Sequence, residues 1–132
     1  MKKIEDYFNT IDEQVQKHLL KNQSVQKVFK GYVAAMGASI MQSGLLPTLA
    51  FYSAKGGADE DRSKILAVIW GTLTKEETTF LGTDQKDTLF ETARLLKKNN
   101  PAKFRRLQAR VENIAIALKL ILRTYPETDA KK

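Results

Sequence analysis

The densest chemistry in this chain is cationic. Residues 98–110, KNNPAKFRRLQAR, carry Lys98, Lys103, Arg105, Arg106 and Arg110 and no carboxylate. Between Glu91 and Glu112 there is no acid at all, and Arg94 and Lys97 bring the basic residues there to seven. Guanidinium and ammonium groups at this density offer charge-assisted hydrogen bonds to phosphate or carboxylate oxygens. A one-signed block also raises the local potential, which marks a phosphate-bearing or acidic partner, with plain solubility as the competing reason.

Other side chains able to do chemistry are few. The chain has no cysteine and one histidine, so neither a disulfide nor a Cys/His zinc cluster nor a two-histidine metal site can be assembled. A serine triad would need His18, which lies in KHLLKN without a carboxylate at useful spacing and reads as a surface or half-buried histidine. Asp59, Glu60 and Asp61 could be imagined on magnesium. They fit the opening of a helix better, and no second acidic cluster completes a two-metal site. SAKGGADEDRSK lacks the order of a phosphate-binding loop, and no GxGxxG occurs. The expectation is a protein that is not an enzyme and carries no cofactor or metal.

Where the charge lies sharpens this. The 132 residues carry a net charge of +7. Residues 1–85 hold ten basic and ten acidic side chains, whereas residues 86–132 hold twelve against five, so the excess belongs to the last third. The opening MKKIEDYFNTIDEQ has acids and amides where a signal peptide needs an apolar run. No stretch of about 18 apolar residues occurs either. A soluble, untargeted, cytoplasmic protein without membrane contact is expected, of a length that suits one core.

The elements that must position these residues read as helices. Ile4, Phe8, Ile11, Val15 and Leu19 recur at three- and four-residue steps and predict a first amphipathic helix. Ser24 is the expected cap of a second, whose face is Val25, Val28, Phe29, Tyr32, Val33, Met36 and Ile40 and whose end is Gly44. Gly31 and Gly37 within it suggest close helix packing. LLPTLAFYSAK makes a short third helix with Pro47 in its first turn and Gly56-Gly57 at its end. A fourth, opened by Asp59, Glu60 and Asp61, buries Ile65, Leu66, Val68, Ile69 and Leu73.

KEETTFLGTDQ is a connection containing a turn of helix, after which Thr83 or Asp84 starts a fifth helix carrying Leu89, Phe90, Ala93 and Leu96. Asn100 and Pro101 then open the last helix, whose stripe runs Phe104, Leu107, Val111, Ile114, Leu118, Ile121 and Tyr125 until Pro126. Residues 126–132 are expected to be a frayed tail of the single domain 1–132. The fold class is all-α, a single-domain bundle of about five or six helices.

At about 100° per residue, Lys103, Arg106 and Arg110 share one flank of the last helix, unopposed along the sequence. Arg105, Lys119 and Arg123 share the other flank with Glu112 among them. Ile116 and Leu120 fall outside the main stripe, so this helix is either central in the domain or covered by another chain. Phe104 and Tyr125 lie on the stripe and read as packing residues, not base-stacking platforms.

A family resemblance joins these features. MQSGLLPTLAFYSAKGG, residues 41–57, follows a tyrosine-bearing helix at Tyr32 and resembles the most distinctive segment of the small helical subunit of the type III-B CRISPR effector, the Cmr RNA-silencing complex. The residues that carry the likeness are Gly44, Leu45, Leu49, Ala50, Phe51 and Lys55. DRSKILAVIWGTL at 61–73 looks like the family too, and KFRRLQARVENIAIALK at 103–119 is similar to its aromatic-Arg-x-Leu opening of the final helix.

The resemblance implies a non-catalytic scaffold of antiviral defence. Its partners are the other subunits of the Cmr effector complex, further copies of itself within the complex, and guide RNA and target RNA. No small-molecule substrate is implied. Base pairing then reads sequence, while the protein holds shape and neutralises phosphates. On this reading Arg94, Lys97, Lys98, Lys103, Arg106 and Arg110 meet the RNA backbone, and Ile116 and Leu120 meet a neighbouring copy or backbone subunit. Two other readings stay open: a free-standing helical nucleic-acid-binding protein, for which no helix-turn-helix is evident, and a purely structural adaptor that turns the charge toward an acidic protein surface.

Overall fold

The apolar periodicities become helices around one shared core. In a computed structural model, which describes residues 2–54 and 61–128, a 3-10 turn at Ile4–Tyr7 leads into α1 (Phe8–His18). A hairpin of β1 (Leu20–Lys21) and β2 (Ser24–Gln26) follows, then α2 (Lys27–Ser43), α3 (Leu45–Ser53) and α4 (Ser63–Glu76). The one-turn α5 (Thr78–Leu81) and a 3-10 turn at Gly82–Asp84 lead to α6 (Leu89–Asn99), α7 (Pro101–Leu122) and β3 (Glu127–Thr128). Among the described residues this is the all-α bundle expected, with a small three-stranded sheet added at one end.

α7 is the axis. It packs against α1, α2, α4, α6 and the N-terminal 3-10 turn, while α1 lies along α4. Its expected stripe is inward: Leu107, Val111, Ile114 and Leu118 are buried, and Phe104, Ile121 and Tyr125 pack against the core edge. Ala115, Ala117 and Leu122 are buried as well, so the helix is central. Ile116 and Leu120 nevertheless remain 45% and 38% exposed.

Several local expectations are corrected. Ser24 does not cap α2: it belongs to β2, where its hydroxyl donates to the Lys21 carbonyl at 2.9 Å and pairs with Thr128 Oγ1. β2 runs antiparallel to β1 and parallel to β3, with Val25 opposite Glu127. Glu127 and Thr128 therefore pair with β2, and α7 ends at Leu122, before Pro126. Strands of two or three residues are too short to show alternation. The hairpin turns through Asn22 and Gln23 at φ of 53° and 67°, the two-residue geometry with both central residues left-handed, which favours Asn and Gly.

The fifth long helix, α6, starts at Leu89 and not at Thr83 or Asp84. Thr88 Oγ1 accepts from Glu91 N at 3.1 Å, capping it there. The connection before it holds the expected turn of helix, as α5. At α4, Asp61 Oδ1 accepts from Ser63 N at 2.9 Å, so one of the three acids does serve the helix start. Lys55, Gly56, Gly57, Asp59, Glu60 and residues 129–132 lie outside the described residues. Asn100 Oδ1 accepts from Lys103 N at 3.2 Å with Pro101 at the first helical position, as its sequence predicts.

Gly31 and Gly37 do not serve close packing, because a methyl built on either meets nothing within 4 Å. The close approach is at Gly71, where a methyl group would overlap the Gln14 side chain of α1. Gly44 is needed for its backbone: at φ 91° it ends α2 and starts α3 in a region that side chains rarely adopt. Gly31→Ala is accordingly expected to raise unfolding free energy by about 0.5–1 kcal/mol, and Gly44→Ala to lower it by about 1–2 kcal/mol. Urea unfolding of the two variants checks both signs.

Candidate nucleic-acid interface

Capping at Asn100 turns the chain sharply, so α6 and α7 form a helical hairpin. On α6, Arg94, Lys97 and Lys98 fall at i, i+3 and i+4, which places them on one face. All three are exposed, as are Arg105 and Arg106 on the other arm. Lys97 Nζ lies 5.6 Å from the ring centroid of Phe104 across the hairpin, a cation–π contact between the two arms. Among the described residues no carboxylate pairs with the side chains of Arg94, Lys98 or Arg106.

Lys103 and Arg110 are placed differently. The flank they were expected to share as an unopposed row is opposed in space by acids that the connection brings over α7. Lys103 Nζ is 2.5 Å from Asp84 Oδ2 and 3.4 Å from the Leu81 carbonyl, and its side chain is 15% exposed. Arg110 Nε donates to Glu77 Oε1 at 2.8 Å, with side-chain exposures of 13% and 8%. Its guanidinium also lies 3.7 Å from the centroid of Phe80, and Lys103 Nζ is 5.1 Å from the same ring. The segment from Glu77 to Asp84 is thus strapped to α7 by two ion pairs with an aromatic ring between them.

Glu77 is the hub. Its second oxygen, Oε2, accepts from Tyr7 Oη at 2.9 Å, so both carboxylate oxygens are satisfied in a buried position, as a buried charge requires. Next to it Glu76 accepts from Thr10 Oγ1 and lies 3.6 Å from Lys2 Nζ. The pair of acids ties the N-terminal turn, α1, α4 and α7 together. Burial raises the Tyr7 hydroxyl pKa above the ordinary tyrosine value, and the hydrogen bond and negative charge of Glu77 push it further the same way.

Neither Glu77 nor Phe80 was singled out in the sequence. Their signal was available only as an acid pair and an apolar residue inside a segment without periodicity. His18 is half-buried, and its pKa is lowered by burial first and by Lys17 second. No described group of three or more His, Asp or Glu residues could hold a metal ion. No helix among the described residues is long and apolar enough to cross a membrane.

Because Tyr7 holds its proton more tightly folded than unfolded, its contribution to stability is complete below pH of about 10, the ordinary tyrosine value. It is lost as pH rises through the raised folded pKa. Tyr7→Phe is expected to lower stability at pH 7 by about 1 kcal/mol and to flatten the decline of the urea midpoint above pH of about 10. Parallel titrations of the two proteins check this.

The family described as CRISPR-associated protein (Cas_Cmr5) matches residues 5–121, from the N-terminal 3-10 turn to the last turn of α7. No curated protein and no solved structure matches the chain. The matched span contains the axis helix, the hairpin with its cations and the strap that covers α7. The chain belongs to the Cas_Cmr5 family of CRISPR-associated proteins, a family of subunits of the type III-B Cmr complex.

Proposed function

We propose that this subunit is non-catalytic and serves antiviral defence from the cytoplasm, stacking beside the other Cmr subunits and further copies of itself. In that position it holds guide and target RNA through phosphate contacts. The observation that carries the reading is the α6–α7 hairpin, which presents Arg94, Lys97, Lys98 and Arg106 exposed, three of them with no described carboxylate in reach. A rigid hairpin with unspent cations suits backbone contacts, which position a duplex without reading its bases. Lys103 and Arg110, first expected in the same row, enter the proposal as the framework that holds α7, since their charges are already met by Asp84 and Glu77.

The exposed apolar pair Ile116 and Leu120 supports burial against a neighbouring subunit. Nothing in the hairpin distinguishes guide from target strand, and the proposal covers the duplex they form.

Reversal of Arg94, Lys98 and Arg106 to glutamate in the assembled complex is expected to weaken target RNA binding equally for matched sequences of different composition. It is also expected to flatten the log-affinity against log-salt slope by about two to three units. Arg110→Glu is expected to act first on folding, with a loss of about 3–5 kcal/mol from an unpaired buried carboxylate. Filter binding across a salt series, with thermal melts of each variant, reads both. An unchanged salt slope in the triple variant sinks the assignment of these residues.

A further inference from the structure

The exposed apolar side chains are not scattered evenly. Phe51, on α3, is 56% exposed with the Arg62 guanidinium 4.1 Å from its ring centroid. Met41, 83% exposed, and Ile116, 45% exposed, wall a hollow of about 210 Å³ between α2 and α7. Gly37 and Ala34 of α2 and Ala115 of α7 line it with them. Ala34 and Lys119 also border a second hollow of about 420 Å³, which is walled by Lys30, Leu122, Arg123 and Glu127. The two hollows adjoin at Ala34 and Lys119 and together follow the α2–α7 seam as a groove.

Its residues follow helical spacing. Lys30, Ala34, Gly37 and Met41 step along one face of α2, and Glu112, Ile116, Lys119 and Arg123 step along one face of α7 in the opposite direction. From Lys30 to Met41 the helix rises about 16 Å, or three turns. Gly37 sits at mid-helix, where glycine costs about 1 kcal/mol relative to alanine, and a methyl there meets nothing within 4 Å. Nothing among the described residues fills that space.

Charge is distributed unevenly along the groove. At one end Lys30 is already satisfied by the Tyr125 carbonyl at 2.9 Å and by Glu127 at 3.6 Å. Lys119 and Arg123 are exposed, and no described carboxylate pairs with either. Toward the other end lies a single acid, Glu112. A nucleic-acid backbone is a poor match, since its charge repeats along its whole length while the unspent cations occupy one end and apolar walls the rest.

We propose that the α2–α7 groove docks an amphipathic helical segment of a different protein chain, about three turns long. Its apolar face lies over Gly37 between Met41 and Ile116, and one end carries Asp or Glu side chains that meet Lys119 and Arg123. This inference rests on the reading of the chain as an assembly subunit. Arg106 and Arg123 are separated by about 25 Å along α7, so the RNA row and the groove can be tested separately.

The test places a photo-cross-linking residue in the groove, Met41→p-benzoylphenylalanine, in the protein purified with its companions, and sequences the cross-linked peptide. Expected is one dominant segment of another protein, with apolar residues at helical spacing and acids within a turn of one end. Lys119→Glu with Arg123→Glu is expected to cut that cross-link at least tenfold. Both side chains are exposed, so an unchanged melting temperature excludes unfolding as the cause. Cross-linking to RNA, to a second copy of this chain or to a segment without acids overturns the proposal, as does a yield insensitive to the charge reversal or no cross-link at all. Loss of RNA affinity on Arg106→Glu in a complex that gives no such cross-link separates failure of this inference from failure of the RNA reading. A chain that purifies with no companion proteins overturns both.

Discussion

A carboxylate inside the protein organises much of what surrounds it. Glu77 follows the last residue of α4, almost fully buried, and its charge is tolerable there only because Arg110 and Tyr7 meet one oxygen each. Those two partners come from α7 and from the N-terminal turn, so the requirement to satisfy one ion fixes three remote segments against one another. Phe80 adds to this by lying under the Arg110 guanidinium, which keeps the strap from Glu77 to Asp84 flat on α7. Buried networks of this kind contribute little net free energy over an apolar core. They do fix a single arrangement, because any half-satisfied alternative strands a charge.

That network also sorts the cations of the last third of the chain into two kinds. Lys103 and Arg110 are paired within the fold, held at 2.5 and 2.8 Å from acids. Among the described residues Arg94, Lys98 and Arg106 have no such partner. A surface potential depends on the charges left over after internal pairing, not on the number of basic residues. The proposed RNA row is therefore narrower than the composition suggests, and it is carried by a hairpin instead of a single helix.

The opposite end of α7 has a separate character. There the small residues of α2 leave a trough along the bundle, and Ile116, Leu120 and Met41 are exposed. One helix thus has a buried stripe that holds the fold, a cationic flank near its start and an apolar, cation-ended groove near its finish. Membership of a family of complex subunits gives such a division of faces an evident use.

The helices were legible in the sequence because their signal is local. The α7 stripe, the Asn100-Pro101 start and the Gly44 break all rest on contacts or dihedrals within a few residues, and they stand where the sequence places them. The cationic block was equally legible, as was the excess of apolar surface at Ile116 and Leu120. What only the tertiary structure decided was pairing at a distance. Glu77 and Arg110 are 33 residues apart, and Asp84 and Lys103 are 19 apart. No period links such positions, so the row of Lys103, Arg106 and Arg110 looked unopposed. The start of α6 moved from Asp84 to Leu89 as Asp84 went to Lys103 and Thr88 supplied the cap. The three short strands and the groove between α2 and α7 were hidden for the same reason, since each is made by segments that the chain brings together only on folding.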